Sequence, residues 1–540
     1  MKGLNLHTQA GRLLTLHTAI SSCTLLAYAF VVFTLIPLAM PNGYRDLGEM
    51  KCGLFLSCSR FFLPILLYLI LLALTRSRAF LRQASPLLLF SFLPLFFLLI
   101  STLLASDPGS AFNGSYGWRM GFLTFLIMTV SMLAFALLPF PGTVLYLPLL
   151  AGAAAASLVA AANRFGFDLM TPQLSAENRQ DFLSTLGNIN WLAGFLALTI
   201  PLAASLLFSP RRVLRLPGGL ILFLLLSAAV LQGSNGILPV LAAILLLLFL
   251  FALSDKDCLA PFLTFLIVLG AAMSFSALMT LLLPAAYNGP PDNLLLRISR
   301  SPLGALLMGI GILFLFRKPK ERTLPAALPA PDIPNAPEGD SARTPEEGFS
   351  RRAACLIAPT AFFLAVLLPL LLLLLQLSVT LPRSSGNFRG FIWHVGKSGF
   401  KKLPLLKKLF GVGPDCMGAY LYSLPNFPEL LNEVYGSALL LNAHSLLLTR
   451  LLNSGFFGIA SHLLLVSFAL RQGCGALRIK KKGSPEQLLL LASLLGVVSY
   501  EIYMLFSFDQ ISATPLFYVL LGILAAPAAD DGEETLSDAS

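Results

Sequence analysis

The chain has 540 residues, of which 56% are hydrophobic and 12% are charged, and its formal net charge is +11. Its mean hydropathy is +0.81, and it carries about half of the charge of a soluble domain, in which roughly a quarter of the residues are charged. So little polar surface cannot cover a water-soluble core of this size. The composition therefore excludes a soluble globular enzyme and predicts a protein that crosses a lipid bilayer many times.

Fourteen apolar stretches are long enough, or nearly so, to cross a bilayer, which takes about 20 residues of helix. Backbone amides in lipid must be satisfied within their own segment, so the stretches are predicted to be helices. They lie near residues 17–40, 55–75, 86–105, 121–140, 143–162, 189–208, 217–233, 236–253, 261–284, 302–316, 353–377, 455–471, 487–508 and 511–527. The predicted fold class is an all-α polytopic membrane protein with about 12–14 transmembrane helices and one large outer loop containing short amphipathic helices.

Composition also divides the chain into domains. A stretch rich in Pro, Ala, Glu and Asp follows the tenth apolar segment and is predicted to be disordered, because it could not bury a core. The predicted domains are an N-terminal transmembrane helix bundle at 1–316, a disordered cytoplasmic linker at 317–352, a transmembrane helix at 353–377, a large external loop at 378–454, C-terminal transmembrane helices at 455–527 and an acidic cytoplasmic tail at 528–540.

Lysine and arginine predict the orientation, because cytoplasmic loops carry an excess of both. With the N-terminus inside, the cytoplasmic loops hold the basic runs at 76–82, 211–215, 317–322 and 478–482. The external residues 378–441 nevertheless carry seven basic and three acidic residues. A loop of this length can cross the membrane whatever its charge, or it can form an electropositive floor for an anionic ligand. The charges alone leave both interpretations open.

The run that begins at His444 is the most informative local pattern. His444-Ser445 is followed, after nine residues, by Gly455-Phe-Phe-Gly458 and a further apolar stretch. This pattern predicts a short amphipathic helix at the outer surface that turns at the glycines into a membrane span. His444 would stand at its start and face the aqueous mouth, although a lone histidine in a membrane protein is more often a packing residue than a catalyst.

The spacing from His444 to Gly458 resembles the signature of the O-antigen ligase and polymerase family of membrane glycosyltransferases. Further segments are similar to that family in the same order along the chain, at 106–121, 186–194, 389–414 and 506–522. One position departs from the family pattern: Ser234-Asn235-Gly236 stands where the family usually has Ser-Arg-Gly. The role of that arginine in holding pyrophosphate therefore does not carry over to Asn235.

The resemblance implies a multi-pass enzyme of the bacterial cytoplasmic membrane with its active site on the outer face. It implies transfer of a glycan from a polyprenyl-pyrophosphate carrier to a glycan, lipid or protein acceptor, without a metal or another cofactor. His444 is predicted to act as a base or to orient the acceptor, and Arg389 to grip the pyrophosphate. The candidate substrate-binding residues are Arg119, Asn188, Asn190, Asn235, Arg297, Arg300, Lys401, Lys402, Arg450 and Glu501.

Several alternatives stay open at the level of sequence. Arg450 could share the site or anchor the chain at the lipid headgroups. Glu501, inside an apolar stretch, could pair with an arginine of the outer face or reach water near the interface. The motifs do not separate a ligase from a polymerase. A transporter or flippase of lipid-linked sugars is the alternative function; the bilayer is a partner in either case, and no nucleic-acid partner is expected.

Overall fold

The structure, a computed structural model, describes residues 2–139, 142–168, 178–317, 355–379, 382, 388–436 and 439–527. Of the predicted linker 317–352, all but Arg317 lies outside the described residues, as does the predicted tail 528–540.

Fourteen apolar helices form the described part of the chain, and each predicted apolar stretch corresponds to one of them. Eleven have the length and composition to cross a membrane, and three are shorter. In chain order they are α1 Thr15–Leu38, α2 Leu47–Thr75, α3 Arg78–Leu103, α4 Phe122–Leu137, α5 Gly142–Arg164, α6 Ile189–Phe208, α7 Arg212–Leu231, α8 Ile237–Ser254, α9 Lys256–Leu282, α10 Leu303–Phe316, α11 Cys355–Ser378, α12 Leu446–Ile479, α13 Pro485–Phe506 and α14 Thr514–Ala525. The prediction of an all-α polytopic membrane protein is confirmed.

The connections contain short elements. The two-residue strands Phe182–Leu183 and Gly187–Asn188 pair antiparallel, with Phe182 opposite Asn188. The large loop between α11 and α12 contains short helices, as predicted, and the first of them buries Phe391, Ile392 and Val395 on one face. The short helices between the apolar helices are Pro108–Asn113, Asn178–Asp181, Leu294–Ser299, Arg389–Lys402, Leu405–Phe410, Met417–Tyr422 and Phe427–Tyr435.

Burial distinguishes central from peripheral helices. In α13 the most apolar 18-residue window is 100% buried within the protein, and in α6 it is 89% buried, whereas in α2 and α3 it is only 28% buried. Glycines allow the central helices to approach closely: a Cβ at Gly522 of α14 would lie 2.2 Å from the Met132 carbonyl oxygen of α4. Such contacts between small residues and backbone are typical of helix packing in membranes, where apolar burial alone gives no driving force.

Connections between helices alternate between two ends of the bundle. One end, here named the loop end, carries residues 388–436 and 439–445 and the described parts of the junctions α1–α2, α3–α4, α5–α6, α7–α8, α9–α10 and α13–α14. At the opposite end Lys482 pairs with Asp255, and the loop at Gly483 packs against Pro210. That opposite end holds the basic runs 211–215 and 478–482. The opposite end therefore carries two of the basic runs that the predicted orientation assigns to the cytoplasmic side.

Helix α12 breaks at Gly455, whose φ of 69° and ψ of −169° are not helical. The turn 409–413 inserts at this break: Val412 N–H donates to the Leu452 carbonyl at 2.9 Å, and Gly413 N–H donates to Asn453 at 3.0 Å. A Cβ at Gly455 would lie 2.4 Å from the carbonyl carbon of Leu409, so only glycine fits. The predicted glycine turn is confirmed. The residues before it do not lie at a surface, because Leu447, Leu448 and Leu451 among them are buried in protein.

Candidate functional site

A buried irregular segment at 507–513 connects α13 to α14 at the centre of the loop end. Ser507, Gln510 and Ser512 are each at least nine-tenths buried although none belongs to a helix. Thr514 stabilises the segment, because its side-chain oxygen accepts from Gln510 N–H at 2.9 Å. Irregular backbone within a membrane protein is tolerated where it lies in protein or lines a cavity. The segment 507–513 is therefore an ordered, buried part of the protein.

Arg389 and His444 meet on this segment, although they are 55 positions apart in the chain. Arg389 begins the helix Arg389–Lys402, and its Nη2 donates to the Phe506 carbonyl at 3.2 Å. The His444 ring stands edge-on to Phe508, with ring centroids 5.2 Å apart. Trp393, one turn beyond Arg389, donates from Nε1 to the Ala443 carbonyl at 3.1 Å. That hydrogen bond holds the arginine helix against the residue that precedes the histidine.

The backbone at His444 is in the left-handed region, with φ of 46°. Few residues other than glycine adopt this conformation, although Asn, Asp and His adopt it more readily than most. Its backbone N–H donates to Asn442 Oδ1 at 3.2 Å, which helps to hold the turn. Burial, together with the nearby Arg389 charge, lowers the pKa of His444 to about 4. The imidazole is therefore neutral at pH 7 and can accept a proton. Burial also lowers the pKa of Arg389.

A cleft descends from Phe508 between α3, α4, α12 and α14. Its empty space is about 830 Å³, including the open mouth. Its apolar wall is formed largely by Pro94, Leu95 and Leu98 of α3. The polar side chains that line it are Asp415, Asn442, Thr449, Arg450, Asn453, His462, Asp509 and Tyr518. A cleft lined by apolar side chains with a few convergent polar groups has the character of a ligand site.

Two buried pairs of ionisable side chains stand in or beside this cleft. Arg450 Nη2 contacts Asp509 Oδ2 at 3.2 Å, and both side chains are less than 15% exposed. His462 Nε2 contacts Glu501 Oε1 at 2.9 Å. Arg450 therefore does not anchor the chain at the lipid headgroups, because its side chain is buried in the protein and paired with the Asp509 carboxylate. Both predictions for Glu501 are wrong: its partner is a histidine of α12, and it is 2% exposed. The side-by-side packing of α12 and α13 sets this partnership.

Asp415 connects the loop 114–120, between α3 and α4, to the turn 409–413. Its Oδ2 accepts from Ser115 N–H at 2.7 Å and from Met120 N–H at 3.2 Å. Its carbonyl accepts from the Ser115 hydroxyl at 2.7 Å. Burial raises the pKa of Asp415 to about 7. The loop 114–120 is thereby held over the mouth of the cleft.

Arg119 has its own carboxylate partner. Its Nη2 lies 2.6 Å from Glu49 Oε1, and Glu49 Oε2 also accepts from Gly117 N–H at 2.7 Å. The hydrogen bond that Arg119 donates to Glu49 raises the pKa of Arg119. The charge of Arg119 is therefore offset within the protein, and the structure does not bring it to Arg389.

Asn188 and Asn190 make hydrogen bonds at the start of α6. Asn188 Oδ1 accepts from Asn190 N–H at 2.8 Å, as a helix N-cap does. Asn190 Oδ1 accepts from Ser234 Oγ at 2.7 Å, and its carbonyl accepts from the Tyr503 hydroxyl. Tyr503 lies close enough to Arg389 to interact with it electrostatically. Asn190 is therefore connected to Arg389 through Tyr503.

Asn235, Arg297 and Arg300 form a separate group near the α9–α10 junction. Asn235 Nδ2 donates to the Asp292 carbonyl at 3.3 Å, and its Oδ1 accepts from Leu294 N–H at 2.9 Å. Arg297 donates to the same Asp292 carbonyl at 3.4 Å, and Arg300 to Thr280 Oγ1 at 3.2 Å. Each contact is to backbone or hydroxyl groups of this region, so the amide at Asn235 serves as a local brace.

Lys401 and Lys402 end the helix that Arg389 begins. A rise of about 1.5 Å per residue puts them roughly 18–20 Å from Arg389 along the axis. Lys402 stands over the Phe427 ring at 5.6 Å. The lysines of the large loop are thus spread along it and do not converge on Arg389.

Sequence reasoning missed several residues of the site, chiefly Asp509, Asp415, His462 and Phe508. Asp509 and His462 carried a usable signal, since an ionisable residue in or beside an apolar segment needs a partner. Asp415 and Phe508 carried none, because the backbone donors and rings that they contact are distant in sequence. Among the residues that the structure describes, no group of three or more His, Cys, Asp or Glu side chains could hold a metal ion.

Comparison of the chain with models of known protein families finds no match, and comparison with curated proteins finds no significant relative.

Proposed function

We propose that this chain is a membrane glycosyltransferase that moves a glycan from a polyprenyl-pyrophosphate carrier to an acceptor hydroxyl. The observation that carries the proposal is the contact of Arg389 with Phe506 and of His444 with Phe508, a residue that also lines the cleft of apolar and polar side chains. A fixed cation beside a neutral imidazole suits this reaction, which needs an anion stabilised and a hydroxyl proton removed.

In the proposed step, the oxygen of the acceptor hydroxyl forms a bond to the anomeric carbon of the donor sugar. The bond from that carbon to the pyrophosphate oxygen breaks, and the electron pair leaves with the polyprenyl pyrophosphate. Arg389 would donate two parallel hydrogen bonds to the departing pyrophosphate. A fixed donor aimed at developing charge contributes about 3–4 kcal/mol to the lowering of the barrier.

His444 would accept the proton of the hydroxyl as the new bond forms. At pH 7 it is in the required neutral state, because its pKa is about 4. The Arg389 charge is one cause of that low pKa, so a bound pyrophosphate that offsets this charge would raise it again. Donor binding would thus make His444 a stronger base at the moment of transfer.

The proposal includes the setting and the partners of the reaction. The enzyme would span the bacterial cytoplasmic membrane with the loop end on its outer face, where lipid-linked glycans are used. The donor would be a glycan on polyprenyl pyrophosphate, and the acceptor a glycan, a lipid or a protein. No metal or other cofactor enters the proposed step.

The test is transfer from a polyprenyl-pyrophosphate-linked oligosaccharide in reconstituted vesicles. Wild type should consume the donor, while Arg389→Gln and His444→Asn should each lose roughly 10²–10⁴-fold in rate. Asn is chosen because it tolerates the left-handed backbone at 444. Lys397→Gln, on the same short helix as Arg389, is the matched charge control and should transfer normally.

The product distinguishes the remaining possibilities. A ladder of repeats would identify a polymerase, and a single addition a ligase. If wild type only moves the intact donor across the bilayer and forms no glycosidic product, the proposal is wrong and the chain is a transporter or flippase.

A further inference from the structure

A second cleft opens at the loop end, and it shares Trp118 with the cleft beneath Phe508. Segments 44–49, 116–118 and 182–191 form most of its walls, and its empty space is about 630 Å³, including the open mouth. Five of its eleven lining residues are aromatic: Tyr44, Tyr116, Trp118, Phe182 and Trp191. We name this feature the aromatic cleft.

Contacts among its own residues hold the aromatic cleft in shape. The rings of Trp118 and Trp191 meet edge to face with centroids 5.3 Å apart, and Tyr44 lies 5.6 Å from Phe182. The Tyr44 hydroxyl donates to the Ser184 carbonyl at 2.9 Å. These contacts fix four rings before any ligand arrives, which lowers the entropic cost of binding one.

Two carboxylates lie among these rings. Glu49 is held by Arg119 and by Gly117 N–H. Asp46 is more accessible: its side chain is 57% exposed, it makes no capping hydrogen bond to α2, and its contact with Arg45 Nε spans 4.0 Å. Tyr116, which is 63% exposed, stands over the same cleft. The cleft thus offers ring faces together with hydrogen-bond acceptors.

This combination selects a particular ligand chemistry. The C–H bonds on one face of a sugar ring carry partial positive charge and pack on the negative face of an aromatic ring. Sugar hydroxyls are donors that an ionised carboxylate, which only accepts, can orient. The exposed Asp46 carboxylate disfavours an anionic phosphate headgroup beside it, whereas Glu49 is already paired with Arg119.

The aromatic cleft is joined to the proposed transfer site by a short chain of rings. Trp118 contacts Phe508 edge to face at 4.8 Å, and Phe508 contacts His444 at 5.2 Å. A saccharide stacked on Trp118 would therefore be separated from the imidazole by one ring, that of Phe508. It would lie on the side of the carboxylates, apart from Arg389.

From this arrangement we propose that the aromatic cleft binds the acceptor saccharide, a hydroxyl-rich glycan without negative charge near the bound ring. Its acceptor role rests on the proposed function, whereas the binding of a saccharide does not. Asp46 and Tyr116 set the affinity for it, and Trp118 and Trp191 supply the floor on which it stacks.

The test is direct binding, measured with detergent-solubilised, fluorescently labelled protein on a printed array of bacterial oligosaccharides. Wild type should retain at least one uncharged glycan. Asp46→Asn and Tyr116→Ala should each weaken that retention by about tenfold, the loss of a charge-assisted hydrogen bond or a stacking contact. Asn suits position 46 because the backbone there is left-handed, with φ of 50°.

Matched controls lie elsewhere on the loop end. Asp292→Asn removes an exposed carboxylate and Phe167→Ala an exposed ring, and neither residue lines the cleft. Both variants should retain the glycan as wild type does. An array on which nothing is retained, or on which all four variants behave alike, would overturn the proposal.

The two proposals fail in different ways. His444→Asn should lose transfer yet keep the array glycan, because it leaves the aromatic cleft intact. Transfer without any retained glycan would leave the enzyme assignment standing and remove the aromatic cleft as acceptor site. A retained glycan without transfer by wild type would keep the cleft as a saccharide site and refute the enzyme assignment.

Discussion

Asp415 and His444 lie outside the membrane-spanning helices. Burial raises the pKa of Asp415 and lowers the pKa of His444, and both shifts favour the neutral form. The Asp415 carboxyl accepts from two backbone N–H groups. His444 stands against a ring and near a cation. Desolvation disfavours the charged form of either group, which raises the pKa of an acid and lowers that of a base. Both effects can be measured as pH dependence.

The first prediction concerns stability and Asp415. Its pKa of about 7 lies above the value near 3.9 of an unfolded aspartate. Between these values the folded protein keeps a proton that the unfolded chain has lost. The free energy of unfolding should therefore fall as pH rises from about 4 to 7, by up to about 1.4 kcal/mol per pH unit.

Asp415→Asn removes this titration. Its apparent Tm in detergent should fall less than that of wild type between about pH 5 and pH 8, when both are followed by thermal unfolding. Asp292→Asn, which alters an exposed carboxyl, should behave as wild type. An unchanged pH dependence in Asp415→Asn would show that Asp415 is ionised throughout in the folded protein.

The second prediction concerns the rate of transfer and His444. A base with a pKa of about 4 is neutral from pH 7 down to pH 5. The kcat/KM for the lipid-linked donor, which reports on the free enzyme, should be constant over that range as far as His444 is concerned. Its acid limb should appear only as the pH approaches 4, and should be missing from the residual rate of His444→Asn. An acid limb near pH 6.5 would contradict the burial of the imidazole.

At the scale of elements, the break in α12 is where two glycine motifs of the sequence meet. A Cβ at Gly411 would lie 2.2 Å from the Asn453 carbonyl oxygen, just as one at Gly455 would clash with Leu409. Ser101 of α3 donates to the same Asn453 carbonyl at 2.6 Å. The turn, the broken helix and α3 are thus held together by contacts to the Asn453 backbone. Arg450 and Asn453, just before the break, line the cleft.

The third prediction follows from this contact. Gly455→Ala should lower the free energy of unfolding by at least about 2 kcal/mol, because it combines a left-handed backbone with a clash against peptide atoms. Gly475→Ala is the control in the same helix: a Cβ there meets nothing within 4 Å. It should be neutral or stabilise the protein by about 0.5–1 kcal/mol, the helix preference of alanine over glycine. Equal thermal stability of the two variants would count against the close approach at Gly455.

At the scale of the whole molecule, α12 is joined to the segment after α13 by a charged pair inside the protein. Arg450 and Asp509 are 13% and 11% exposed, and Arg450 also stands 5.9 Å from the Phe125 ring of α4. Removing one member of a buried pair leaves the other charge uncompensated, which typically costs about 3–5 kcal/mol. This pair therefore couples α12, α4 and the segment 507–513 around the cleft.

The fourth prediction compares this pair with an exposed one. Asp509→Asn should lower the thermal stability strongly, and a second substitution, Arg450→Met, should restore much of the loss by removing the stranded charge. Lys482→Gln, in a pair whose lysine is 65% exposed, should change the free energy of unfolding by no more than about 1 kcal/mol. Similar losses in Asp509→Asn and Lys482→Gln would show that the cleft is well solvated at Arg450.

Hydropathy along the chain was sufficient to predict the class of fold, the positions of the helices and the glycine turn at Gly455. These features are local: twenty apolar residues must form a helix in lipid, and a glycine pair before a span permits a break. The family resemblance singled out His444 and Arg389, which the structure places against Phe508 and Phe506.

Only the tertiary structure decided which side chains face one another. It assigned Glu501 to His462, Arg450 to Asp509, Arg119 to Glu49 and Asn235 to the backbone at Asp292. The rotation and the depth of one helix against another determine such partners. In a membrane, apolar residues surround each helix on every side, so hydrophobic periodicity does not mark the face that meets a neighbour.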